Sequence, residues 1–126
     1  MKSYTDLEQS KILAKILPLE SADMCYSNDG TAIKIDANPY TVRYSMWKNC
    51  VVEIIPCWSL AALLSVIPKH INEFNVLRID ISTNDFAIWY DEIGFGVNND
   101  LPDVTKESAV DACVKMIVKL HELNLL

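Results

Sequence analysis

Glycine is scarce in this chain, 3 residues in 126. That leaves no glycine-rich loop to cradle a phosphate and no G-x-S-x-G nucleophile elbow. It also argues against long flexible loops. Histidine is rarer still: His70 and His121 stand far apart, in no H-x-x-x-H or H-x-E spacing. A metal site needs converging ligands, so no metal or cofactor is expected. The four cysteines, Cys25, Cys50, Cys57 and Cys113, form no C-x-x-C pair. They stand among apolar residues or in predicted regular elements, and read as reduced, mostly buried thiols rather than a disulfide framework. Basic residues are outnumbered, 11 against 17 acidic, which gives a net charge of −6. Such a balance disfavours phosphate backbones and anionic lipid as partners but leaves a basic protein open. No apolar run approaches the ~18 residues of a membrane span. The opening Met1-Lys2-Ser3-Tyr4-Thr5-Asp6 has no apolar signal core. The expectation is a cytoplasmic protein with no membrane or nucleic-acid partner.

What the chain has is enough apolar residue for a core. Hydrophobic residues make up 51% and charged residues 22%, the composition of a globular chain, and the length suits a single domain over 1–126. The rest is organised around an uncharged stretch from Ile55 to Pro68, bracketed by Pro56 and Pro68. Trp58, Leu60, Leu63, Leu64 and Ile67 recur at helical spacing, and Ala61, Ala62, Ser65 and Val66 are small or apolar. A helix without a polar face is expected to be buried.

Around it the patterns alternate. Thr5-Asp6-Leu7-Glu8 reads as a capping box with Thr5 as N-cap, opening a helix that Pro18 stops. Asn28-Asp29-Gly30 separates Met24–Ser27 from Thr31–Ile35 and predicts a hairpin. Tyr40–Trp47 alternates as a half-buried strand, and Cys50–Ile55 reads as another short strand leading into the central helix. Val76–Ile81 and Phe86–Tyr90 predict a second hairpin, with Leu77, Ile79 and Ile81 facing one way on the first strand and Phe86, Ile88 and Tyr90 sharing one face of the second. Gly94-Phe95-Gly96 marks a further turn or an irregular edge strand. Asp103 or Thr105 is the expected cap of a last helix carrying Val110, Cys113, Val114, Ile117 and Leu120, with Leu123, Leu125 and Leu126 prolonging its apolar side. The expected class is α+β: an antiparallel sheet of hairpins packed with three helices, in the order α-β-β-(β)-α-β-β-α.

Three groups of residues could carry function. Cys57 falls near the start of the central stretch. In a helix's first turn its thiolate would be stabilised, although no histidine base is placed beside it. An acidic run from Asp80 to Asp103 contains Asp80, Asp85, Asp91, Glu92, Asp100 and Asp103 without a Lys or Arg. It offers an acidic patch for a basic partner, a carboxylate pair or a mimic of DNA. Asn98-Asn99-Asp100 lacks the ligand spacing of an EF-hand loop. Carboxylates placed by turns explain the run equally well. Finally, Trp89 lies on the strand face opposite Phe86, Ile88 and Tyr90, where an exposed aromatic would serve as a contact. Trp89, Asp80, Asp91 and Glu92 are the candidate binding residues.

Three phrases add a resemblance. Ile16-Leu17-Pro18-Leu19-Glu20-Ser21-Ala22-Asp23-Met24-Cys25 is the first, and the Ile55–Pro68 run is the second. The third is Asp111-Ala112-Cys113 with Met116-Ile117 and Lys119-Leu120-His121-Glu122-Leu123-Asn124-Leu125-Leu126. Together they resemble small uncharacterised proteins of gut Bacteroidetes, carried on phages or mobile elements. The resemblance brings no catalytic motif. It implies a bacterial cytoplasmic protein of phage or mobile-element origin. The residues and the resemblance favour a binding or accessory protein acting through protein contact. A small enzyme using Cys57 or an acidic pair, and an acidic DNA mimic, are the alternatives.

Overall fold

The computed structural model describes residues 2–26, 32–34, 44–47, 50–53 and 55–126. The class is α+β, with three α-helices among the described residues and antiparallel pairing throughout. The helices are α1 (Leu7–Leu13), α2 (Leu60–Val66) and α3 (Ala109–Glu122). None is long and apolar enough to cross a membrane. Contacts divide the chain into two compact units: Ser3–Ala62, and Leu63–Leu126 joined by Lys2. The division falls inside α2.

In the first unit, β1 (Met24–Tyr26) pairs with β2 (Ala32–Lys34), as the Asp-Gly signal predicts; Asp29 and Gly30 themselves lie outside the described residues. β3 (Tyr44–Trp47) and β4 (Cys50–Glu53) form a two-stranded ladder. Tyr40–Arg43 of the predicted strand lie outside the described residues. Ile55–Cys57 is not the start of the central helix. It is β5, antiparallel to β1 with Cys25 opposite Pro56. Proline has no N–H to give a ladder, so this position suits an edge strand.

Two helix starts differ from expectation. The N-cap of α1 is Asp6, not Thr5. The Asp6 carboxylate accepts from the Gln9 N–H at 2.8 Å, and the Gln9 amide oxygen accepts from the Asp6 N–H at 3.1 Å. Thr5 is fully buried instead. α2 begins at Leu60, where the Ser59 hydroxyl accepts the Ala62 N–H at 3.2 Å. Asp23 holds that serine, accepting from its N–H at 2.9 Å and from its hydroxyl. The central helix is also not buried all round. Trp58, Leu63 and Ile67 are in the core, but Ala61 and Ser65 are exposed. Small residues on its second face permit solvent there as readily as packing.

The second unit is built on a five-stranded antiparallel sheet in the order β10-β8-β7-β6, with β9 beside β8. Its strands are β6 (His70–Ile71), β7 (Asn75–Ile81), β8 (Phe86–Glu92), β9 (Gly96–Val97) and β10 (Val104–Lys106). The predicted hairpin is in register, with Leu77 opposite Tyr90, Ile79 opposite Ile88 and Ile81 opposite Phe86. α3 packs on β8 and β10 and buries Val110, Cys113, Met116, Ile117 and Leu120. The valine, methionine, isoleucine and leucine among them each contribute about 1.5–3 kcal/mol on burial. The cap of α3 is Ser108, which accepts from Asp111 N–H at 3.3 Å, because Val104–Lys106 is taken up as β10. After Glu122 the helix ends in a Schellman motif. Asn124 takes φ 58°, its N–H reaches the His121 carbonyl, and the Leu125 N–H reaches that of Leu120. This reversal leaves Leu123 half exposed rather than on the buried side.

Candidate functional site

Cys57 was the most reactive prospect, and its surroundings withhold reactivity. It ends β5 and is fully buried. The thiol donates to the Thr5 carbonyl at 3.4 Å, and the Thr5 hydroxyl lies 3.5 Å from its sulfur. The same hydroxyl meets Ser10 Oγ at 2.7 Å and accepts the Trp58 N–H at 3.1 Å. Tyr26 donates to the Thr5 carbonyl at 2.6 Å. Burial pushes the Cys57 thiol up, and the hydrogen bonds from Thr5, Ser10 and Tyr26 offset only part of this. Burial likewise raises Tyr26 to about 12. A thiol held neutral is a poor nucleophile. The group is a polar knot that satisfies the buried groups of Thr5, Ser10 and Trp58.

The candidate binding residues lie on the second sheet, on and beside the face away from the Leu77–Tyr90 row. Register sets them in rows on that face. Val76 is opposite Asp91, Arg78 is opposite Trp89, and Asp80 is opposite Ala87. Asp91 also faces Val97 of β9. One oxygen of Asp91 accepts the Trp89 indole N–H at 2.7 Å, and the other accepts Arg78 Nε at 3.3 Å. Trp89 is half-buried and pinned rather than free-standing. Glu92 alternates to the other face opposite Asn75, yet it reaches the same open depression of about 250 Å³, lined by Val76, Arg78, Asp91, Ile93 and the two nearby glycines.

The acidic run does not act as one patch. Arg78 and Trp89 separate Asp80 from Asp91 on the sheet face. Asp85 sits in the hairpin turn with its N–H on Ser82 Oγ, and the Asp100 N–H is held by Asn98 Oδ1 at 2.9 Å. Those two carboxylates sit where turn chemistry puts them. Among the described residues no three His, Cys, Asp or Glu are grouped to hold a metal ion.

An exposed apolar group that no sequence pattern predicts stands beside the depression. Phe74 is 61% exposed, Ile93 58%, Phe95 82% and Val97 49%. They share one end of the sheet. The Ile93 N–H donates to the Phe74 carbonyl at 2.7 Å, the Phe95 N–H donates to the Glu92 carbonyl at 3.0 Å, and Val97 follows in β9. Gly94 and Gly96 take φ values of 86° and 81°, which a side chain resists, so they make the tight turn that lifts Phe95 outward. The legible signal was a phenylalanine between two glycines, a residue with turn neighbours and no strand to bury it.

No family model matches this chain, and neither curated proteins nor solved structures show a significant similarity to it.

Proposed function

We propose that this protein acts by binding another protein through the exposed end of its second sheet, and not by catalysing a reaction. The observation that carries this reading is the exposed group Phe74, Ile93, Phe95 and Val97, bordered by Arg78, Asp91 and Glu92. Large aromatic side chains held out in water are unfavourable alone and are typical anchors of protein interfaces. The adjoining depression, at about 250 Å³, falls below the roughly 300–1,000 Å³ of small-molecule sites. It has room for one side chain of a partner. Arg78 and the two carboxylates provide a polar rim that would set orientation. The resemblance to proteins of gut Bacteroidetes fits an accessory role on a phage or mobile element, in the cytoplasm of the host.

The test is affinity capture from a Bacteroidetes host lysate with the wild-type chain and with a Phe74→Ser, Phe95→Ser variant. A partner held by the wild type and released by the variant, with circular dichroism unchanged, is the expected result. Retention of the same proteins by both, or of none above background, would count against the proposal.

A further inference from the structure

The depression at the end of the second sheet carries an uneven charge. Its lining holds one cation, Arg78, and two carboxylates, Asp91 and Glu92, beside the apolar Val76 and Ile93. Arg78 and Asp91 answer each other. Arg78 Nε donates to one Asp91 oxygen at 3.3 Å, and the Trp89 indole N–H donates to the other at 2.7 Å. Glu92 is left over. Its backbone faces Gly96 of β9 and its carbonyl accepts the Phe95 N–H. Among the described residues its carboxylate has no hydrogen-bond or ion-pair partner. It is half-buried, between the depression and the exposed apolar group. The surroundings add no compensating cation. Arg78 is the one Lys or Arg between His70 and Thr105. Glu73 is exposed next to Phe74, whose carbonyl accepts the Ile93 N–H, so it adds a negative charge at the same end of the sheet.

This imbalance decides which side chain of a partner the depression accepts. An apolar side chain covers the Glu92 carboxylate without giving it a donor, and an unpaired buried charge is costly. An acidic side chain adds a third carboxylate to a lining that already has one in excess. A basic side chain gives Glu92 a charge-assisted hydrogen bond and brings the lining to neutrality. Its aliphatic stem also lies well against Val76 and Ile93, since lysine and arginine cover apolar surface while keeping the charged head in a polar place. Resting on the reading that this end of the sheet binds a protein, we propose that the partner is a segment with a lysine or arginine flanked by large apolar side chains. The cation sits in the depression against Glu92, and the flanking side chains cover Phe74, Phe95 and Val97. The Arg78–Asp91 pair stays intact and closes the far side of the depression.

A random-peptide library displayed on phage tests this, selected on the immobilised wild-type chain and, separately, on the Phe74→Ser, Phe95→Ser variant. The wild type is expected to enrich peptides with a lysine or arginine between large apolar residues, and the phenylalanine variant is not. Titration of one enriched peptide then isolates Glu92, whose side chain supports no other group of the fold. Glu92→Gln should weaken binding about tenfold or more, the loss of one hydrogen bond to a charged group, with an unchanged circular dichroism spectrum. Glu92→Lys should reverse the preference, binding the peptide better once its basic residue is replaced by glutamate. Enrichment of purely apolar or acidic peptides that the phenylalanine variant fails to hold would overturn the basic partner and leave the binding surface standing. So would a Glu92→Gln variant that binds as the wild type does. Peptides held equally by the wild type and the phenylalanine variant, or no enrichment at all, would overturn the surface and the inference together.

Discussion

Thr5 shows how one side chain can hold several elements. Its hydroxyl meets Ser10 of α1, Cys57 of β5 and the backbone of Trp58, and its carbonyl accepts from Tyr26 of β1. Thr5→Val keeps the shape but strands the Trp58 N–H, which costs about 1–3 kcal/mol; urea unfolding with an unchanged slope would confirm that loss. The cysteines make a second prediction. Burial lifts Cys113 from an ordinary 9.0 to about 12, with Lys69 offsetting part of the rise. Folded chains therefore keep this proton at pH values where unfolded chains have lost it. The stability linked to it is complete below pH 9.0 and is lost as pH rises towards 12. Tyr26 acts in the same direction over a similar range. Denaturation midpoints measured above pH 9 should fall steadily, and less steeply for Cys113→Ala. In a Cys50→Ser background, thiol labelling at neutral pH should proceed only as fast as the protein opens, because Cys25, Cys57 and Cys113 are all buried.

At the scale of elements, the hairpins were legible because strict alternation leaves one register that buries Phe86, Ile88 and Tyr90 on a common face. Helix starts were not. Thr5 and Asp6 both satisfy a cap pattern, and so do Asp103, Thr105 and Ser108. What decided between them was tertiary: Thr5 was drawn into the core, and Val104–Lys106 into the sheet as β10. Cys57 was misplaced for a related reason. The helical spacing starts only at Trp58 and gives no sign of how Ile55–Cys57 are used, so the boundary between β5 and α2 depended on pairing with β1. The caps carry a measurable weight. Ser108→Ala should destabilise by about 0.5–2 kcal/mol, read as a lower melting temperature in calorimetry, whereas Thr105→Ala, exposed on β10, should change it little.

In the whole molecule, stability and function rest on different parts. The buried polar knot and the α3 interface stabilise the fold, while the exposed end of the second sheet contributes little to it. The candidate site was half legible. Trp89, Asp80 and Asp91 share a face because β8 and β7 alternate, and periodicity gives that directly. Phe74, Ile93 and Phe95 come together through two turns at one end of the sheet, and no period relates turns. Phe95→Ser should therefore leave the melting temperature unchanged or slightly higher, the opposite of a core phenylalanine, whose truncation costs about 3–5 kcal/mol.

Hydrogen exchange on the complex with the captured partner tests the binding surface most directly. Amides of residues 73–78 and 91–97 should exchange more slowly when the partner is present, with those around Thr5 and Cys57 unaffected. Protection centred on the Thr5–Cys57 region, with residues 91–97 unchanged, would contradict the assignment.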